Sequence, residues 1–96
     1  MPVDNAAAVT GAKLYQNAPN PFSDKSAIRF YVPEKALNSE VKIFSSDGKQ
    51  VSNFKSIKKG ENKIDIAAGT LPAGVYNYSL LIDGKVTASK QMVLIQ

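Results

Sequence analysis

The side chains of this chain that could do chemistry are its carboxylates, its amines and its serines. Nothing in their spacing assembles them into a catalyst. Ser26, Ser45, Ser46, Ser52, Ser56, Ser79 and Ser89 are potential nucleophiles, but the chain has no histidine to activate one. Ser89 stands next to Lys90, yet adjacent residues of a strand point to opposite faces, so that pair cannot meet directly. Asp4, Asp24, Glu34, Glu40, Asp47, Glu61, Asp65 and Asp83 are dispersed, with no acid–base pair and no Asp-x-Asp-x-Asp calcium loop. The absence of cysteine removes thiolate metal sites and disulfides. No glycine-rich stretch cradles a phosphate. The expectation is a protein that is not an enzyme, with no cofactor, no metal and no small-molecule substrate.

Charge points to a solvated surface rather than to a polymer. Twelve basic residues against 8 acidic ones leave a net charge of +4 across 96 residues. All but Arg29 are lysines, and only Lys55, Lys58, Lys59 and Lys63 gather, with Phe54 the one aromatic beside them. Nucleic-acid readers use arginine forks and aromatic stacking platforms, so no nucleic-acid partner is expected. No apolar run approaches the ~20 residues of a membrane-spanning helix. Met1-Pro2-Val3-Asp4 lacks the charged start and apolar centre of a signal peptide, and the chain reads as a piece excised from a longer one.

Residues 1–13 (MPVDNAAAVTGAK) are small and polar, without a face to bury, and read as a flexible leader or linker. Ordered structure is expected over 14–96. Asn17-Ala18-Pro19-Asn20-Pro21-Phe22 makes a stiff extended crossing, with Phe22 as an apolar plug and the Asn side chains bonding nearby backbone. Period-2 alternation then dominates. Ile28, Phe30 and Val32 form one strand, ended by Pro33; Val41 and Ile43 belong to the next. Asp47-Gly48 and Asp83-Gly84 mark tight hairpin turns. Val51, Asn53, Lys55 and Ile57 are assigned to one face of a returning strand, with Phe54 on the other. Ile64 and Ile66 mark a further strand. Gly74–Ile82 is the richest in aromatic and branched residues, and it is expected to pair with Lys85–Leu94 across Asp83-Gly84. Glu34–Leu37 leaves room for one helical turn at most. The pattern predicts an all-β, immunoglobulin-like antiparallel β-sandwich of about seven short strands, with a small barrel as the alternative.

The ordered motifs resemble the type IX secretion system C-terminal sorting domain of Bacteroidetes. They are Leu14-Tyr15-Gln16-Asn17-Ala18-Pro19-Asn20-Pro21-Phe22, Ile28–Pro33, Val41–Val51 with its Asp47-Gly48 turn, Gly60-Glu61-Asn62, Leu71-Pro72-Ala73-Gly74-Val75-Tyr76, and Lys90–Gln96 after Gly84. The hook-capping immunoglobulin-like domain shares some boxes but usually has an aromatic-Asp-Gly motif where this chain reads Ile64-Asp65-Ile66-Ala67-Ala68-Gly69.

The resemblance implies an address label at the end of a cargo protein. The cargo would reach the periplasm, be carried across the outer membrane by the type IX machinery with its shuttle protein, and be cut by a sortase-like peptidase. It would then be released or attached at the cell surface. The cut would fall in or beside the leader stretch Asn5, Ala6, Ala7, Ala8, Val9, Thr10, Gly11 and Ala12. Recognition by the machinery would involve Gly74, Val75, Tyr76, Lys90, Met92, Val93, Leu94 and Ile95. Pro19, Asn20, Pro21, Phe22, Asp47, Gly48, Asp83 and Gly84 would be structural.

Lys90 breaks an apolar row formed with Val86, Ala88, Met92 and Leu94. It is either a margin lysine with a snorkelling stem or a partner contact. The open Val93-Leu94-Ile95 end makes the last strand a candidate for strand addition, and a second copy is a further expected partner through unpaired edges at high concentration. The competing reading is a non-catalytic carbohydrate-binding, adhesion or spacer module; a carbohydrate site would need Tyr15, Tyr31, Tyr76 and Tyr78 to cluster outward.

Overall fold

The computed structural model describes residues 11–56, 58–69 and 71–95. Within them lie seven strands: β1 (Lys13–Leu14), β2 (Lys25–Val32), β3 (Ser39–Ser45), β4 (Gln50–Ser56), β5 (Gly60–Ala67), β6 (Gly74–Ile82) and β7 (Lys85–Leu94). They form two antiparallel sheets, ordered β1-β2-β5 and β4-β3-β6-β7. The architecture is an immunoglobulin-like sandwich without helix among the described residues. Glu34-Lys35 makes only a turn, closed by the Ala36 amide donating to Pro33 O at 3.1 Å.

Alternation places Ile28, Phe30 and Val32 of β2 against Val41 and Ile43 of β3 and Tyr76, Tyr78, Leu80 and Ile82 of β6 in one core. Phe22 is 2% exposed and does plug this core. Each large side chain so buried contributes about 1.5–3 kcal/mol. β1 opens at Lys13, opposite Tyr31, and Ala12 packs against the core.

Two bulges overturn face assignments made from strict alternation. The register shifts between Ile43 and Phe44: Ile43 faces Ser52 while Phe44 faces Gln50. Val51 is the extra residue, and it packs against the core together with Phe54. Asn53 and Lys55 are exposed, and Ile57 lies outside the described residues. The second shift falls between Leu80 and Leu81. Leu80 faces Ala88 and Leu81 faces Val86, with Thr87 extra and its hydroxyl donating to Leu80 O at 3.1 Å. Val86 thereby leaves the row of Ala88, Lys90, Met92 and Leu94 and is 62% exposed. One residue added to a strand reverses the faces beyond it.

The Asp83-Gly84 turn joins β6 to β7 as expected, and Asp83 also reaches the β2–β3 loop. Asp83 sits at φ +52°. Its Oδ1 accepts from the amides of Leu37 and Asn38, each at 2.8 Å, and its own amide donates to Asn38 O at 3.0 Å. Asp83→Ala is expected to lower stability by about 1–2 kcal/mol, because two amides lose their acceptor. The check is a lower urea midpoint with unchanged slope. Asp83→Asn, which keeps an oxygen acceptor, should retain most of the wild-type midpoint.

Candidate recognition surface at the C-terminal strand

β7 is an edge strand of the larger sheet, and an edge offers unpaired backbone groups to any extended segment. Here much of that edge is occupied by the chain itself. Ala18 pairs with Ala27 at the start of β2, exchanging two backbone bonds of 3.0 Å. The chain then crosses to the other sheet, where Phe22 pairs with Leu94 in parallel. The Phe22 amide donates to Val93 O at 2.9 Å, and the Ile95 amide donates to Phe22 O at 2.8 Å. Asn20 Oδ1 accepts from the Val93 amide at 2.8 Å, and Gln16 Nε2 donates to Gln91 O at 2.6 Å. The Gln16–Phe22 arm thus covers the outer edge of β7 from Gln91 to Ile95. The expectation that this end stands uncovered does not hold: the first proline box of the sequence is its cover. The Ala18–Pro19 and Asn20–Pro21 peptide bonds are both cis.

The arm is anchored from inside by polar groups. Asn17 is 2% exposed. Its Nδ2 donates to Pro19 O at 3.1 Å and to Ser26 Oγ at 2.9 Å, and Ser26 Oγ donates to Pro19 O at 2.8 Å. The Tyr78 hydroxyl, at the core, donates to Tyr15 O at 2.8 Å and accepts from the Asn17 amide at 2.7 Å. Burial pushes the Tyr78 phenol above its ordinary pKa, against the opposing effect of the Asn17 bond. Asn17 bonds nearby backbone as expected, whereas Gln16, Ser26 and Tyr78 are the members of this assembly that sequence reasoning missed. The available signal was that a tyrosine in an apolar row needs a partner for its hydroxyl.

Register gathers several of the expected recognition residues. Gly74 faces Leu94, Val75 faces Val93, and Tyr76 faces Met92. Their side chains divide between two faces. Tyr76, Met92 and Leu94 are buried at 4%, 0% and 2%, and the Tyr76 hydroxyl donates to Pro72 O at 2.5 Å in a corner bond. Val75, Val93 and Ile95 lie on the outer face, with Val93 half-buried and the other two exposed. Gly74 is exposed at φ +154°, in open space, so backbone conformation rather than room restricts the residue there. Lys90 stands apart from this group, half-buried and opposite Tyr78.

The Asp47-Gly48 turn comes to the same end of the sheet. A recess of about 270 Å³ is lined by Ser45, Ser46, Asp47 and the segment Pro72–Tyr76. Asp47 accepts from the Ser45 hydroxyl and from the Lys49 amide, and these bonds, the Ser45 one foremost, hold its carboxyl below the ordinary aspartate pKa. Asp83-Gly84 lies at the opposite end. Of the stretch expected to hold the cut, 5–10 lie outside the described residues; Gly11 is exposed and Ala12 half-buried. Among the described residues, no three Asp, Glu, His or Cys side chains gather around a potential metal position.

These features define a small β-sandwich module whose first motif is fastened along its last strand. The secretion system C-terminal sorting domain family matches residues 15–95, and the chain belongs to that family, a C-terminal sorting signal of type IX secretion. Such a signal implies export to the cell surface or the extracellular space. Among solved structures, the chain is similar to the dimeric latent PorU of Porphyromonas gingivalis, at 19% identity and a TM-score of 0.72. The likeness covers 88% of this chain and 9% of that protein, and at this identity it speaks for the fold. No curated protein matches.

Proposed function

We propose that the type IX machinery reads this domain at the end of the larger sheet where Gly74, Val75, Val93 and Ile95 meet. The single observation that carries this reading is an exposed apolar group at one end of the outer face, formed where the Leu71–Tyr76 motif meets the C-terminal strand. Val75 is 39% and Ile95 47% exposed, and Val75 faces Val93 across the strands. Tyr76, Met92 and Leu94 act from beneath by fixing the strands, since buried side chains have almost no surface to offer a partner. Lys90 is a contact at the margin. In this reading the domain passes through the periplasm on its cargo and meets a shuttle protein. A sortase-like peptidase then cuts within or beside Asn5–Ala12, and the cargo is released or attached to the surface. The domain itself performs no catalysis. Pairing of two copies would use edges other than the covered Gln91–Ile95 stretch.

The test is a periplasm-directed reporter fused to this chain in a type IX-competent bacterium. The wild-type fusion should reach the surface. Val75→Lys combined with Ile95→Lys should cut surface reporter at least about tenfold while the domain stays folded, since exposed substitutions usually change stability within about 0.5 kcal/mol. Lys90→Ala should give a smaller loss. Full export of the folded double variant would remove this face from the recognition site, and unchanged export of Lys90→Ala would remove Lys90.

A further inference from the structure

The four tyrosines divide into two pairs. Tyr76 and Tyr78 are buried, with hydroxyls bonded to backbone. Tyr15 and Tyr31 lie on the outer face of the smaller sheet, and among the described residues their hydroxyls have no bonding partner. Lys13 faces Tyr31 and Tyr31 faces Glu61, so one row across three strands reads ammonium, phenol, carboxylate. Tyr15 extends the ladder past β1, its amide donating to Arg29 O at 3.0 Å. It is thus the diagonal neighbour of Tyr31, a separation of about 7–8 Å between backbones. Gly11, Lys13, Tyr15, Tyr31 and Glu61 line a cleft of about 300 Å³. That is the lower end of the size range for small-ligand sites. Lys13 and Glu61 have no ion-pair partner among the described residues.

We infer that this cleft binds a pyranose sugar, as a separate function of the face opposite the sorting surface. A sugar ring has an apolar C–H face and a rim of hydroxyls that both donate and accept. Tyrosine rings supply a flat apolar surface with a polar tip. The Glu61 carboxylate accepts, the Lys13 ammonium donates, and the two phenols do both. The rival chemistries fit less well. A lipid chain would leave the Lys13 ammonium and the Glu61 carboxylate of this lining without polar partners. A phosphate would meet the Glu61 carboxylate. A bare cation would meet the Lys13 ammonium. The cleft is open and shallow, so the affinity expected for one or two rings is weak, with Kd of about 1 mM.

The proposal is independent of how the domain is sorted, because none of these residues belongs to the Gly74–Ile95 surface. It is tested by titrating the isotope-labelled 96-residue chain with maltotriose, cellotriose and chitotriose and following amide shifts. At least one sugar should give saturable shifts centred on Lys13, Tyr15, Tyr31 and Glu61. Tyr31→Ala and Tyr15→Ala should each weaken binding about tenfold or more, and Glu61→Gln should weaken it less. Lys42→Ala, on the outer face of the other sheet, should leave it unchanged. The dispersion of each variant spectrum shows that it is folded. No saturable shift with any of the three sugars up to about 50 mM, a concentration well above the expected Kd, overturns the proposal. Shifts that persist undiminished in folded Tyr31→Ala overturn it equally.

Discussion

Deleting Val93–Gln96 is expected to abolish cooperative folding, not merely to remove a recognition tail. Leu94 is 2% exposed, and loss of such a side chain with the cavity it leaves costs about 2–5 kcal/mol. The deletion also strips the arm of its partner strand. The Phe22 amide loses Val93 O, Phe22 O loses the Ile95 amide, and Asn20 Oδ1 loses the Val93 amide. Phe22, itself 2% exposed, then has one side of its pocket missing. A small domain holds about 5–15 kcal/mol in total, and one without disulfides sits near the low end. The truncated chain should therefore show a collapsed amide spectrum and no sigmoidal thermal transition. A cooperative melt within a few degrees of wild type would sink the claim. The consequence for function is direct: loss of export on such a truncation reports unfolding first. Only substitutions on the outer face, such as Val75→Lys with Ile95→Lys, separate reading of the strand from holding it in place.

The sandwich was legible because β2, β3, β5 and most of β6 carry period-2 alternation and both short hairpins carry an Asp-Gly signal. Pairing of β6 with β7 across Asp83-Gly84 followed from the turn and the flanking apolar residues alone. The faces of Val51 and Val86 were not legible. A bulge is one uncounted residue, and no composition cue announces it before every side chain beyond it changes face. The arm is a different kind of omission. The proline box and the C-terminal strand were each singled out, yet their union depends on bonds such as Asn20 to Val93, 73 residues apart. Local propensity contains no information about such a pair. The same holds for Asp83, whose turn role is local and whose grip on Leu37 and Asn38 is not. The candidate recognition set joins residues that the β6–β7 register places opposite one another, Gly74–Tyr76 with Met92–Leu94. It did not tell outward residues from inward ones, since a motif written as a string does not carry its face.

Tyr78→Phe is expected to be the most damaging substitution that removes a single atom from this protein. The hydroxyl is bonded on both sides, donating to Tyr15 O and accepting from the Asn17 amide. Phenylalanine fills the same space but leaves a buried amide and a carbonyl without partners, a loss of about 2–3 kcal/mol. For a domain of this size that corresponds to a melting point lowered by roughly 10–20 °C. Because the bond fastens the arm, hydrogen exchange of the Phe22 and Ile95 amides should accelerate more than that of Ile43 or Leu80 in the core.

The pH dependence provides an independent check. Burial raises the Tyr78 pKa in the folded state above the ordinary value of 10.0. Its contribution is therefore fully present below pH 10 and is lost as pH rises from there through the folded-state pKa, because the unfolded chain ionises first. Wild type should lose stability over this alkaline range, and Tyr78→Phe should lack that part of the decline. The gap in melting temperature between the two proteins should then be widest near neutral pH and narrow above pH 10. A gap that stays constant from pH 7 to pH 11 would show that the phenol does not titrate between the folded and unfolded states as its burial requires.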